Sequence, residues 1–287
     1  MNSGFDSLAL ARSFLFVPAT RPERYAKALA SGADAVIIDL EDAVAPHEKT
    51  GARDQLASAF DVLCVAERAR TVVRLNASGT PWIDDDLKLV ADLVRLGLRA
   101  VMLPKADSAH ALRSLAQTLG ASCALLPLVE SLAGLDAVDA LAAAPQVLRL
   151  AFGHLDFQAD VGMACGAEEV ELVPVRLAII LAARRAGLAA SIDGVTVATR
   201  DAARLQEDVA RSQRFGFGAK MCIHPAQIAL VNAAFSPSAA ELDWAQRVLA
   251  AVEAAGGGVV SLDGRMVDGP VVRLAQRTLA QSRQGIF

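Results

Sequence analysis

The sequence has little cysteine, and none of it is spaced for a metal. Cys64, Cys123, Cys165 and Cys222 lie far apart, with no CxxC pair and no Cys/His ligand spacing. That argues against structural zinc and for reduced, buried thiols. An excess of one charge is also missing. The 287 residues carry 28 Lys+Arg against 32 Asp+Glu, a formal net charge of −4. The two signs are intermixed, so no basic face for nucleic acid is expected. No apolar run approaches a membrane span, because the most apolar helical stretch, "VPVRLAIILAARRAG", is broken by Arg176, Arg184 and Arg185. The first residues lack the positive region and long apolar core of a secretion signal. A soluble, cytoplasmic protein with no membrane or nucleic-acid partner is therefore the expectation. Glycine-rich phosphate motifs are absent too. "FVPATRPER" after the first apolar run holds no GxGxxG, and "GFGAK" at 216–220 lacks Walker spacing.

What the chain does have is a series of short apolar runs within 54% hydrophobic content, ample for one large domain or two small ones. The runs are 14–18, 35–41, 71–76, 100–105, 124–130, 148–153, 190–195 and 219–225. Helical patterns lie between them. "PERYAKALASG" has Pro near its start and Gly at its end, "WIDDDLKLVADLVRLG" stops on Gly, and Ser108 and Ser131 open two more as caps. Continuous apolar strands alternating with helices indicate parallel pairing buried on both faces. Eight such units predict a (β/α)8 TIM barrel over 1–235. Residues 236–287 predict an extension: a helix from a Ser cap, a hairpin around Asp263-Gly264, and a last helix starting near Pro270.

In such a barrel the C-terminal strand ends build the active site. Here those ends carry Asp39, Glu41 and Asp42 on the second strand, and Arg74 and Asn76 on the third. Lys105, Glu130, His154 and Asp156, Asp193, and His224 follow on the later strands. Several have ordinary readings. The strand-two acids can cap a helix, Lys105 can lie on the surface, His154 and His224 can be structural, and Asp193 can shape a turn. Glu130 and Arg74 stand inside apolar runs and need partners there. A divalent cation would relieve the acids. Carboxylates without cysteine or paired histidine favour Mg²⁺ or Mn²⁺. Glu130 and Asp156, on adjacent strands, are the expected ligand pair, with the strand-two acids behind them.

The motifs "RSFLFVPATRPERYAKALASGADAVIIDLEDAV", "VVRLN", "LPK", "PLVES", "FGHLDFQADVG", "IDGV", "GFGAKMCIHPAQI" and "GRMVDGPVVRLAQR" run in order over nearly the whole chain. In them the sequence resembles the citrate lyase β-subunit-like proteins of the aldolase superfamily of Mg²⁺-dependent CoA-ester lyases. The resemblance implies a barrel enzyme, usually trimeric, that binds Mg²⁺ and an acyl-CoA. It makes Glu130 and Asp156 metal ligands, and Arg74 a contact to substrate carboxylate or enolate, with Glu130 at the substrate. It also implies that Asp268 is delivered to a neighbouring subunit's site. Many members read Gly-Ala-Glu-Asp where this chain has Gly153-His154-Leu155-Asp156.

The reaction so implied is cleavage or formation of a carboxylated 3-hydroxyacyl-CoA, such as a citramalyl, malyl or citryl thioester. It yields a 2-oxo acid and an acyl-CoA, with Asp42, Glu41 and Asp268 as proton-transfer candidates. A malyl-CoA-type thioesterase, an aldolase of free 2-oxo acids, and a CoA-ester-binding subunit without turnover are the alternatives.

Overall fold

The computed structural model describes residues 5–256 and 258–282. Residues 283–287 of the expected extension lie outside them. The chain divides into two compact units, Met1–Asn232 and Ala233–Phe287.

The first unit is a closed barrel of eight parallel strands in sequence order. They are β1 (Ser13–Pro18), β2 (Ala35–Asp39), β3 (Thr71–Arg74), β4 (Ala100–Leu103), β5 (Ala124–Val129), β6 (Ala151–Phe152), β7 (Ile192–Asp193) and β8 (Ala219–Cys222). All eight expected runs become strands. Every residue of β2 to β5 is buried, which is why these runs read as unbroken apolar stretches. The sixth and seventh are shorter than expected. Around β7, side-chain bonds replace ladder bonds: Lys220 Nζ donates to Gly194 O at 2.6 Å, and Gly194 N donates to Asp193 Oδ1 at 2.9 Å.

Alternate residues of the strands fill the interior. Phe14, Ala35, Ile37, Val72, Ala100, Met102, Ala124, Leu126, Leu128, Ala151, Ile192, Ala219 and Met221 form one core. Helix α1 (Asp6–Leu10) brings Leu8 against its floor. The buried Arg149 fastens that segment, donating from Nη1 to Leu8 O and Ala11 O. With a side-chain period of two, the next inward positions after Ile37, Val72 and Leu128 are Asp39, Arg74 and Glu130. The polar layer is thus the top of the interior stack.

The surrounding helices follow their sequence signals. Helix α2 (Lys49–Asp61) comes after β2, and α3 (Ile83–Leu96) ends on left-handed Gly97. Ser108 caps α4 (Ala109–Leu119) through Ala111 N. The helix expected from Ser131 breaks into two short pieces, Leu132–Asp136 and Val138–Ala142. Helix α5 (His154–Val161) starts directly after β6; α6 (Val173–Arg185) and α7 (Ala202–Phe215) complete the set used below. Cys123 and Cys222 are buried as expected, but Cys165 is half-buried and Cys64, beside a short helix, is exposed. Among the described residues no helix is long and apolar enough to cross a membrane.

The second unit holds α8 (Ala239–Ala254), a hairpin of β9 (Val260–Leu262) and β10 (Arg265–Val267), and α9 (Gly269–Ser282). Ser238 and Glu241 form a capping box on α8. Asp263 and Gly264 both take positive φ (51° and 73°), which is what a two-residue hairpin turn of this hand requires. Ala245, Val248, Val267 and Ala275 are its buried core.

Candidate active site

The polar layer opens into a cavity of about 440 Å³ lined by Asp39, Asp42, Arg74, Glu130, His154 and Asp156, with apolar walls that include Phe16, Leu128, Val195 and Met221. Arg74 is its organising cation. Nε and Nη2 donate to the two oxygens of Asp39, each at 2.7 Å, a bidentate clamp. Nη1 lies 2.8 Å from Glu41 Oε2, close in charge but not angled as a hydrogen bond, and 3.6 Å from Asp42 Oδ2. The guanidinium also sits 4.9 Å above the Phe16 ring. Burial opposes its charge, but the Asp39 bond and the acids around it win, holding its pKa above the ordinary arginine value.

Arg74 and Lys105 answer the strand-two acids directly. Lys105 Nζ donates to Glu41 Oε1 at 2.7 Å. Asp39 also accepts from Glu41 N and Ala43 N, so it shapes the turn after β2. Behind that turn, buried Lys49 donates from Nζ to Leu40 O at 2.6 Å and Glu41 O at 2.7 Å.

Among the described residues no cation forms an ion pair with Glu130, although the charge of Arg74 pulls its pKa down. Its Oε1 accepts from the backbone N–H of Lys105 at 2.7 Å. Among the described residues Oε2 accepts no hydrogen bond. Burial, reinforced by the charges of Glu41 and Asp156, pushes the carboxyl up to about 8. Gly153 leaves the room Glu130 uses, since a Cβ there would stand 2.4 Å from Oε2. Asp156, in the first turn of α5, is half-buried and lines the same cavity.

This is a donor set for a small hard cation: two carboxylates, one buried and under-compensated, with no sulfur or imidazole required. Among the described residues no group of three or more His, Cys, Asp or Glu gathers as a cage. Mg²⁺ usually takes one or two carboxylates and leaves the rest to water and substrate.

The other sequence candidates divide. His154 lines the cavity but turns Nε2 toward Glu169 Oε1 at 3.7 Å, and burial holds its pKa below the usual histidine value. Glu169, at φ 48°, is clasped by Arg176 and Arg211. Asp193 is structural, bonded to Ser212 and Arg176. His224 accepts from Ala226 N in a short turn. Asn76 bonds Asp86, which also holds Arg53. Asp268 belongs to the second unit, where Oδ1 accepts from Val271 N at 3.4 Å. Lys105 was placed at a strand end by the sequence, whereas Lys49 and Glu169 were not singled out for the site.

Residues 12–225 match the family HpcH/HpaI aldolase/citrate lyase. The chain is 37% identical to a solved structure of CitE from Mycobacterium tuberculosis in complex with magnesium, acetoacetate and coenzyme A. That likeness has a TM-score of 0.81 and covers 96% of this chain and 99% of that one. Another structure from M. tuberculosis, a citrate lyase β subunit complexed with oxaloacetate and magnesium, is 37% identical with a TM-score of 0.70, over 80% of this chain and 100% of that one. A (3S)-malyl-CoA thioesterase of Cereibacter sphaeroides is 34% identical over 274 residues, 94% of each chain.

Proposed function

Because the chain belongs to the HpcH/HpaI aldolase/citrate lyase family, we propose that it is a Mg²⁺-dependent carbon–carbon lyase acting on carboxylated 3-hydroxyacyl-CoA thioesters. The observation that carries this is that Glu130, buried and without an ion-pair partner among the described residues, and Asp156 line one cavity with Arg74, which is clamped by Asp39. Glu130 and Asp156 would hold the metal. Bound there, Mg²⁺ supplies Lewis acidity and a template for the oxygens of the hydroxy-acid half.

The chain's own residues do the rest. Asp42 lines the cavity and is the exposed member of the acid cluster, so it is placed to take the substrate hydroxyl proton. As that proton leaves, the bond between the hydroxyl-bearing carbon and its methylene neighbour breaks. The carbinol becomes the 2-oxo group, and the electron pair moves onto the thioester as an enolate. Arg74 offers its remaining N–H groups to that developing oxyanion, a preorganised contact of the kind worth about 3 to 4 kcal/mol. Glu41, whose pKa burial raises against the pull of Arg74 and Lys105, stands behind Asp42 in the proton path. A proton returned to the methylene carbon completes the acyl-CoA.

A second reading, thioester hydrolysis, is favoured by the likeness to the malyl-CoA thioesterase. It needs the same site with water as the nucleophile. A panel of citramalyl-, malyl- and citryl-CoA with Mg²⁺, beside the free hydroxy acids, separates the cases. Release of 2-oxo acid with the thioester intact supports the lyase, and release of free CoA thiol supports the thioesterase. Turnover of free acids alone would make the chain an aldolase. Binding without turnover would leave only a CoA-ester-binding subunit.

We further assign Asp268 to proton return in a neighbouring copy of a homotrimer. Mixing inactive Asp156→Asn and Asp268→Asn subunits should then restore part of the activity. No restoration would put Asp268 outside the site.

A further inference from the structure

Lys105 is one of four residues other than glycine with positive φ among the described residues, at 47°. A side chain in that left-handed region costs on the order of 1 kcal/mol relative to glycine, and such strain gathers where geometry is needed for function. Two bonds leave this one residue in different directions. The backbone N–H reaches Glu130 Oε1 at 2.7 Å, and Nζ reaches Glu41 Oε1 at 2.7 Å. The neighbouring Ala106 N already donates to Leu128 O, which anchors the turn to β5 just below Glu130.

We propose that Lys105 is a two-ended positioning residue: its left-handed backbone aims an N–H that orients Glu130, and its ammonium holds Glu41 in the acid cluster. Glycine would satisfy the backbone end without strain, so the lysine is explained only by the second end. The inference rests on the metal and lyase reading above, and the two ends separate experimentally.

Lys105→Gly keeps the N–H and the permitted φ but deletes the ammonium. Lys105→Val opposes positive φ through its β-branch, and Lys105→Arg restores a cation. Mg²⁺ binding by calorimetry tests the backbone end. Lys105→Gly should bind within about 3-fold of the wild type and Lys105→Val at least about 10-fold more weakly. Valine binding as tightly as wild type, or glycine as weakly as valine, overturns this end. Thioester turnover tests the other. At unchanged Mg²⁺ affinity, kcat of Lys105→Gly should fall about 10-fold or more and Lys105→Arg should recover much of it. Wild-type kcat in Lys105→Gly overturns the ammonium role. A wild type that binds Mg²⁺ but cleaves no thioester refutes the lyase reading alone, because the calorimetric comparison still decides how Glu130 is oriented. A wild type that binds no Mg²⁺ refutes the metal reading and this inference together.

Discussion

Replacing Arg74 by methionine isolates the charge balance on which the cavity depends. Methionine keeps most of the side-chain length and can still pack on Phe16, so the change removes charge and hydrogen bonds more than volume. It strips Asp39, whose side chain is 1% exposed, of both guanidinium bonds, and it leaves Glu41, 7% exposed, with Lys105 alone. Breaking a buried pair by removing one partner costs about 3–5 kcal/mol, because the other charge stays behind. For a unit of this size each kcal/mol moves Tm by about 2–4 °C, so Tm should drop by roughly 6–20 °C. The lower half of that range is expected, since Glu41 N and Ala43 N still donate to Asp39. The second step removes the stranded charge. In Arg74→Met/Asp39→Asn the amide oxygen still accepts a backbone N–H, so more than half of the lost stability should return while activity stays lost. Thermal unfolding followed by circular dichroism measures both. A single variant melting within 2 °C of wild type, or a double variant no more stable than the single, would show that the clamp does not carry the charge of this layer.

Three further outcomes follow from the same geometry. Gly153→Ala places a Cβ 2.4 Å from Glu130 Oε2 and 2.7 Å from its Cβ; it should cost about 1–3 kcal/mol by overpacking and abolish the Tm rise expected when Mg²⁺ is added to the wild type. In metal-free protein Glu130 binds its proton more tightly folded than unfolded, with a pKa of about 8 against an ordinary 4.5. The folded state thus holds the extra proton between those values, and its contribution to stability, full below pH 4.5, is lost as pH rises through 8. Urea midpoints across that window should fall less steeply in Glu130→Gln, and a parallel pH dependence in both proteins would refute the assignment. Lys49→Met leaves the carbonyls of Leu40 and Glu41 without their ammonium, each worth about 1–3 kcal/mol if unsatisfied. The urea midpoint should fall accordingly, and an unchanged midpoint would mean that water takes over both bonds.

Much of the site was legible because parity and topology are local properties. Once the eight runs are strands of one barrel, a period of two sends Asp39, Arg74 and Glu130 to the same end and face. Where the parity stops, so does the legibility. Lys105 lies past the end of β4, in a turn whose left-handed φ no propensity announces for lysine. Asp268 carries a motif but lies in the second unit, outside the strand pattern. The exposed Cys64 shows the same limit, because a mostly apolar context does not say on which side of a short helix a thiol falls.

The order of strands, the helix stop at Gly97, the serine caps and the identity of the inward polar residues follow from composition and spacing, since each depends on neighbours a few residues away. Which cation answers which acid does not. Arg74, Lys105 and a divalent ion could each have balanced Asp39, Glu41 and Asp42. The choice lies in distances between β2, β3 and β4, residues 35 to 64 positions apart in the chain. Coulomb energies at a few ångströms in a dry interior are steep enough that folding, by setting those distances, leaves Glu130 without an ion-pair partner among the described residues.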